Sequence, residues 1–191
     1  MRYLSFDIEA TGLEQHDLII EFACIPVDIE TKQIRNDLSF HTYIHCPSFS
    51  ELEEKLSPWV RENNKDLIEK ANKEGLQLDQ FKQKLTQYLT SGDIKAFFNN
   101  EKIQLLGKSI NAIDLPFMNR DLGWEWMREI FSHRALDVTS ATYTIIDQKK
   151  LPEECLSGSK LMEYFEMGDV AHTALEDAIN TAKLYLKMID L

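Results

Sequence analysis

Five residues in three separated clusters could do chemistry together: Asp7 and Glu9, then Asp114, then His172 and Asp177. Four carboxylates supply the oxygen ligands that hard divalent cations prefer. A neutral imidazole beside them could take a proton from an attacking water. The chemistry this set suggests is metal-dependent hydrolysis of a phosphodiester, with two cations stabilising the attacking and leaving oxygens. Each residue taken alone also has an ordinary explanation. The D-x-E spacing recurs at Asp28/Glu30, at a strand end leading into a turn where solvated acids are common. An Asp such as Asp114 at a helix start is usually a cap. His172 would then be a loop residue, and Asp177 a first-turn acid that complements the helix dipole.

The elements that must position these residues can be read from periodicity. Residues 2–8 alternate as a strand, with Leu4, Phe6 and Ile8 on one face and Asp7 and Glu9 on the other. Two carboxylates on one face repel each other unless a cation lies between them. The Ala10-Thr11-Gly12-Leu13 that follows allows close backbone approach at Gly12 and offers Leu13 as an apolar wedge for a base. Residues 18–28 and 34–44 read as two more strands joined by a turn at 30–33. Leu78, Phe81, Leu85, Tyr88 and Leu89 have the spacing of an amphipathic helix. Residues 94–98 and 103–106 each read as a buried strand. A helix with Pro116 in its first turn follows Asp114 and stops at Gly123, and another lies near 159–167. Thr173 and Glu176 fit a capping box, which places His172 just before the cap and Asp177 in the first turn, two positions whose side chains meet over a helix start. The apolar stripe of that last helix is Leu175, Ala178, Ile179, Ala182, Tyr185, Leu186 and Ile189. Strands first and mixed elements after predict one α/β domain over residues 1–191, a mixed sheet with an antiparallel N-terminal meander flanked by helices.

Bulk properties narrow the partners. With 191 residues, 43% of them hydrophobic, the chain can bury one core but not two comfortable ones. No apolar run is long enough for a membrane span, and the N-terminus moves straight into a strand pattern without a signal peptide. Three widely spaced cysteines, Cys24, Cys46 and Cys155, suit reduced thiols in a cytoplasm. The net charge of −11 argues against long tracking along a polyanion, so a nucleic-acid substrate would be gripped over a few nucleotides at one end. Gly107-Lys108-Ser109 resembles the end of a phosphate-binding loop, but Lys102 stands where its first glycine is required. His41 and His45 would lie about 13 Å apart on one strand face, with Cys46 on the other, which excludes a zinc cluster.

Three segments together resemble a known family. They are Phe6-Asp7-Ile8-Glu9-Ala10-Thr11-Gly12-Leu13, the stretch from Gly107 to Phe117, and Ala171-His172-Thr173-Ala174-Leu175-Glu176-Asp177-Ala178. In order and spacing they are similar to the motifs of the DEDDh 3′–5′ exonucleases of the RNase T/DnaQ superfamily. Ser109 and Ile113 depart from that pattern, which often has Asn and Phe there. The resemblance implies a ribonuclease H-like fold and a pair of Mg²⁺ or Mn²⁺ ions held by Asp7, Glu9, Asp114 and Asp177, with Asp7 bridging. It also implies His172 as general base and release of nucleoside 5′-monophosphates from single-stranded DNA or RNA 3′ ends. Thr11, Gly12 and Leu13 would contact the terminal nucleotide, with Phe117 stacking nearby. The short stretch beyond Asp177 leaves little room for a polymerase-binding tail, so a stand-alone nuclease is expected. Several members of the family are homodimers, and that state stays open here. So do three other functions: an oligoribonuclease-like enzyme confined to very short RNA, a proofreading exonuclease working with a polymerase, and a non-catalytic nucleic-acid-binding module.

Overall fold

The alternation at the N-terminus forms the strand on which the rest of the protein is arranged. In the computed structural model, which describes residues 1–168 and 173–191, β1 (Arg2–Ala10) is central. It pairs antiparallel with β2 (Ile19–Asp28) and parallel with β5 (Ile103–Gly107). Two short strands, β3 (Gln33–Ile34) and β4 (Phe40–Tyr43), both pair with β2, and β6 (Phe131–Asp137) lies parallel to β5. The result is a six-stranded mixed sheet with the expected antiparallel meander at its N-terminal side. The expected strand over 34–44 is interrupted by a 3₁₀ turn at Asn36–Leu38. There Arg35 folds its guanidinium back onto the Asp37 carboxylate at 2.6 Å, so a polar Arg-Asn-Asp run closes as a turn instead of extending.

The helices are α1 (Phe49–Leu52), α2 (Pro58–Asn63), α3 (Lys65–Glu74), α4 (Leu78–Leu89), α5 (Gly92–Phe97), α6 (Asp114–Leu122), α7 (Trp124–Ile130), α8 (Val138–Asp147), α9 (Gly158–Tyr164) and α10 (Ala174–Met188). The segment expected to be a strand at 94–98 is α5 and the residue that ends it. The Ser91 hydroxyl caps the Ile94 N–H, and a short apolar run then buries Ile94 and Phe97 as well as a strand would. Strand β6 and α8 were not anticipated, because Phe-Ser-His-Arg-Ala-Leu-Asp lacks clean alternation.

Each sheet face has its own cover. Leu4, Phe6 and Ile8 of β1 join Phe22, Phe81, Leu85, Ile94, Phe117 and Met118 in the largest apolar cluster. The other face of β1, bearing Tyr3, Ser5, Asp7 and Glu9, is turned toward α10, where the Ser5 hydroxyl donates to the Ala178 carbonyl at 2.7 Å. That bond requires close approach, and the buried face of α10 is Ala174, Ala178, Thr181, Ala182, Leu184 and Met188. The expected stripe is therefore partly rotated: Ala178 and Ala182 are buried as expected, Ala174, Thr181, Leu184 and Met188 join them, and Ile189 is exposed. A third cluster of Ile20, Cys46, Phe49, Leu56, Val60, Ile68 and Ala71 seats α1–α3 beside β2. All three cysteines are buried and unbridged. Asp28, expected as a solvated turn acid, is buried. It accepts from the Arg2 guanidinium at 2.8 Å and from the backbone N–H groups of Glu30 and Thr31, which holds its carboxyl below the usual range. Among the described residues, no helix is long and apolar enough to cross a membrane.

Candidate active site

Strand periodicity places Asp7 and Glu9 side by side on the β1 face that meets α10. Helix α10 brings Asp177 to the same point. Its start is set by the N-cap Thr173, whose hydroxyl accepts the Glu176 N–H at 3.4 Å and donates to the Glu176 carboxylate at 2.9 Å. Asp7, Glu9 and Asp177 each offer a carboxylate oxygen within 4.8 Å of the others. His172 lies outside the described residues. The pairing of β1 with β2 slips in register between Glu9 and Ala10, an irregularity directly after the second acid, and Ala10 pairs on with Ile19.

Asp114 reaches the site by a different route. It is the first residue of α6 and is buried; its carboxylate accepts the Ile8 N–H of β1 at 3.2 Å. The sequence offered helix capping as its ordinary role, yet the carboxylate is spent across to the central strand, between the two acids of that strand.

The electrostatics follow from four acids in one recess. Burial raises the Asp7 carboxyl well above the usual range, and the charges of Asp114, Glu9 and Asp177 raise it further, while Lys108 opposes them. Glu9 is pushed up to about 7, by burial first and then by Asp177, Glu21 and Asp114. Asp114 is also raised to about 7 by burial, although the Ile8 N–H pulls the other way. Carboxylates held together in this way form a set of hard oxygen donors. The donor set fits divalent cations of the Mg²⁺ or Mn²⁺ kind.

These acids form one wall of a cleft of about 700 Å³, a volume suited to a nucleotide-sized ligand. The loop after β1 forms another wall. Asp17 closes that loop, accepting from the Thr11 hydroxyl at 3.1 Å and from the Glu14 N–H at 2.8 Å. The Thr11 hydroxyl also accepts the Leu18 N–H at 2.9 Å, so its proton and one acceptor site are engaged within the loop. A Cβ on Gly12 would lie 2.3 Å from the Asp17 carboxylate, so the close approach available at Gly12 serves this loop. Leu13 projects from the loop, 74% exposed. Phe117, in contrast, sits in the core under the Arg120 guanidinium and does not line the cleft.

Sequence reasoning passed over Trp59 of α2, which lines the cleft and is 56% exposed. Its signal was available: the Ser57 cap and Pro58 fix a helix start, and a tryptophan placed directly after them without apolar periodicity has no core to enter. Lys55 and Lys108 also line the cleft, and Lys108 had been weighed only as the tail of a failed phosphate loop.

The model of the RNase T family, described as "Exonuclease", matches residues 4–185. The chain belongs to the RNase T/DEDDh exonuclease family. No curated protein is significantly similar to it in sequence. Among solved structures, this RNase T family member is similar to cell-death related nuclease 4 (CRN-4), with TM-score 0.66 and 19% identity over 99% of this chain and 64% of that one. The nuclease domain of 3'hExo, a DEDDh family member bound to rAMP, superposes with TM-score 0.65 at 14% identity, covering 99% and 92%. E. coli Exonuclease I in complex with a 5cy-dT13 oligonucleotide gives TM-score 0.64 at 15% identity, covering 99% and 42%. The chain thus spans less than two thirds of two of these three proteins. At such identities the likeness establishes the shared ribonuclease H-like exonuclease fold.

Proposed function

We propose that this family member is a metal-dependent 3′–5′ exonuclease that removes nucleoside 5′-monophosphates from short single-stranded ends. The observation that carries the proposal is the convergence of Asp7, Glu9 and Asp177 oxygens within 4.8 Å in the wall of a nucleotide-sized cleft. Asp7 and Glu9 would share one cation with Asp177, and Asp7 would share a second with Asp114. Two such cations, when bound, supply Lewis-acid stabilisation of the attacking and leaving oxygens. His172, in its neutral form, would take the proton of the attacking water. Leu13 and Trp59, which both line the cleft, would grip the terminal base as an apolar wedge and an aromatic platform that tolerate any base. The backbone at Thr11 and Gly12 would hold that wedge in place.

The acidic surface supports the short-substrate part of the proposal, since the −11 charge leaves few cations to neutralise a trailing strand. The structural neighbours include a protein solved with a dT13 oligonucleotide and another bound to rAMP, which fits single-stranded ends of either sugar type. The test is purified protein with Mg²⁺ or Mn²⁺ and with chelator, on end-labelled DNA and RNA of several lengths. Stepwise release of 5′-monophosphates from the 3′ end, abolished by chelator, is expected. Asp177→Asn should lower the rate more than about a hundredfold without loss of folding. Chelator-insensitive cleavage, or internal cuts without terminal release, would overturn the proposal.

A further inference from the structure

Lys108 follows β5 and enters the cleft among the four acids, yet it forms no hydrogen bond or ion pair with any described residue. Its influence on the acids is only long-range, as the charge that opposes the rise at Asp7. An ammonium that lines an acidic recess without binding a carboxylate remains free to take an anion brought from outside.

Its position is built in. The backbone just after it is fixed, because Ser109 adopts a left-handed conformation (φ 59°) that costs a non-glycine residue energy. Asp137 stabilises that conformation, accepting the Ser109 N–H at 3.1 Å and the Asn111 side-chain amide at 3.3 Å. The Ser109 hydroxyl meets that of Thr139 at 2.9 Å. The far end of Lys108 lies over Gly158, at the start of α9. A Cβ there would come 2.8 Å from Nζ and 3.0 Å from Cε. A strained, hydrogen-bonded stem and a notch without a side chain together aim one cation into the cleft.

We infer that Lys108 binds a non-bridging oxygen of the phosphoryl group being released, as the cleft's own phosphate ligand. This rests on the exonuclease proposal and adds to it a specificity for the phosphate rather than the base. The inference accounts for how a chain of net charge −11 holds a polyanion's end: one ammonium beside the acids that would hold the cations meets the phosphate. Lys55, the other lysine that lines the cleft, belongs to the 3₁₀ turn Glu53–Lys55 that precedes α2.

The test compares the parent with Lys108→Gln, Lys108→Arg and Gly158→Ala. It uses Mg²⁺-dependent hydrolysis of a short oligonucleotide, with inhibition by AMP or dAMP (whichever inhibits the parent more strongly) and by the matching nucleoside. Loss of one charge-assisted hydrogen bond predicts roughly a ten- to hundredfold fall in kcat/KM for Lys108→Gln. Monophosphate inhibition should weaken by a similar factor and nucleoside inhibition should not change, with Lys108→Arg recovering part of the loss. Gly158→Ala keeps the charge but pushes the ammonium aside. It should show a smaller loss of the same kind at unchanged melting temperature, and the loss should vanish in the Lys108→Gln background. Parent activity with wild-type constants in Lys108→Gln would overturn the assignment of Lys108 alone. Equal weakening of monophosphate and nucleoside inhibition would also overturn it, by pointing to a collapsed cleft. An inactive parent would instead overturn the exonuclease proposal on which the inference stands.

Discussion

Replacing Glu9 with glutamine keeps the side-chain shape while removing a charge that the metal-free fold accommodates poorly. The Glu9 carboxyl moves from 4.5 to about 7 on folding, through burial and the charges of Asp177, Glu21 and Asp114. Between those pH values the folded protein retains a proton that the unfolded chain has released. Stability therefore falls as pH rises through the window, and the full cost is present above about pH 7. At about 1.4 kcal/mol for each pH unit, that cost is about 3 kcal/mol. In chelator at pH 8, Glu9→Gln should thus be more stable than the parent by about 1–3 kcal/mol, the lower figure allowing for the residue's partial exposure. For a chain of this size the melting temperature should rise by roughly 3–10 °C. The gain should shrink toward zero near pH 4.5. Adding Mg²⁺ or Mn²⁺ at pH 8 should cancel most or all of the gain, since a cation that binds only the folded parent stabilises it by about 2.7 kcal/mol at a hundred times its Kd. Urea melts at both pH values, with and without metal, measure all four terms. A variant less stable than the parent in chelator at pH 8 would refute the argument, and so would a difference that does not change with pH.

Two further substitutions test the cleft wall and the scaffold behind it. Trp59→Ala should raise KM roughly ten- to hundredfold by removing an aromatic platform, with little effect on melting because the ring is 56% exposed; unchanged KM for every substrate length would exclude Trp59 from the binding site. Gly75→Ala should destabilise by about 3 kcal/mol, because the new Cβ would lie 2.3 Å from the Ala71 carbonyl and 2.5 Å from the His45 nitrogen, both fixed backbone atoms. A variant that melts with the parent would show that α3 and the β4 segment move apart easily.

Signals that span only a few residues were legible in the sequence. The two-residue period of β1 put Asp7 and Glu9 on one face, and the Thr173 cap set the start of the helix that carries Asp177. Both are consequences of backbone geometry and local hydrogen bonding, so they need no knowledge of what lies across the molecule. The antiparallel meander was readable for the same reason. The resemblance of three short segments to the RNase T/DEDDh family, which the match over residues 4–185 bears out, joined these local facts into one site.

What the sequence could not provide were relations between segments far apart in the chain. The 94–98 run buries its apolar residues equally well in either backbone form, and the Ser91 cap together with packing against the core decided for a helix. The stripe read for α10 centred on Ala178 and Ala182 with Leu175, Ile179, Tyr185, Leu186 and Ile189 around them, whereas the buried face joins those two alanines to Ala174, Thr181, Leu184 and Met188, with Ala178 close enough for Ser5 to reach its carbonyl. Asp114 looked locally like any cap, and only the fold shows its carboxylate accepting the Ile8 N–H between Asp7 and Glu9. Trp59 and Lys108 acquire meaning as walls of a cleft formed by segments about 50 residues or more from the first motif. The sequence by itself determined which acids would be available and which local elements would carry them. The tertiary structure decided how close they stand and what faces them, because burial and charge–charge repulsion depend on distances that chain order does not set.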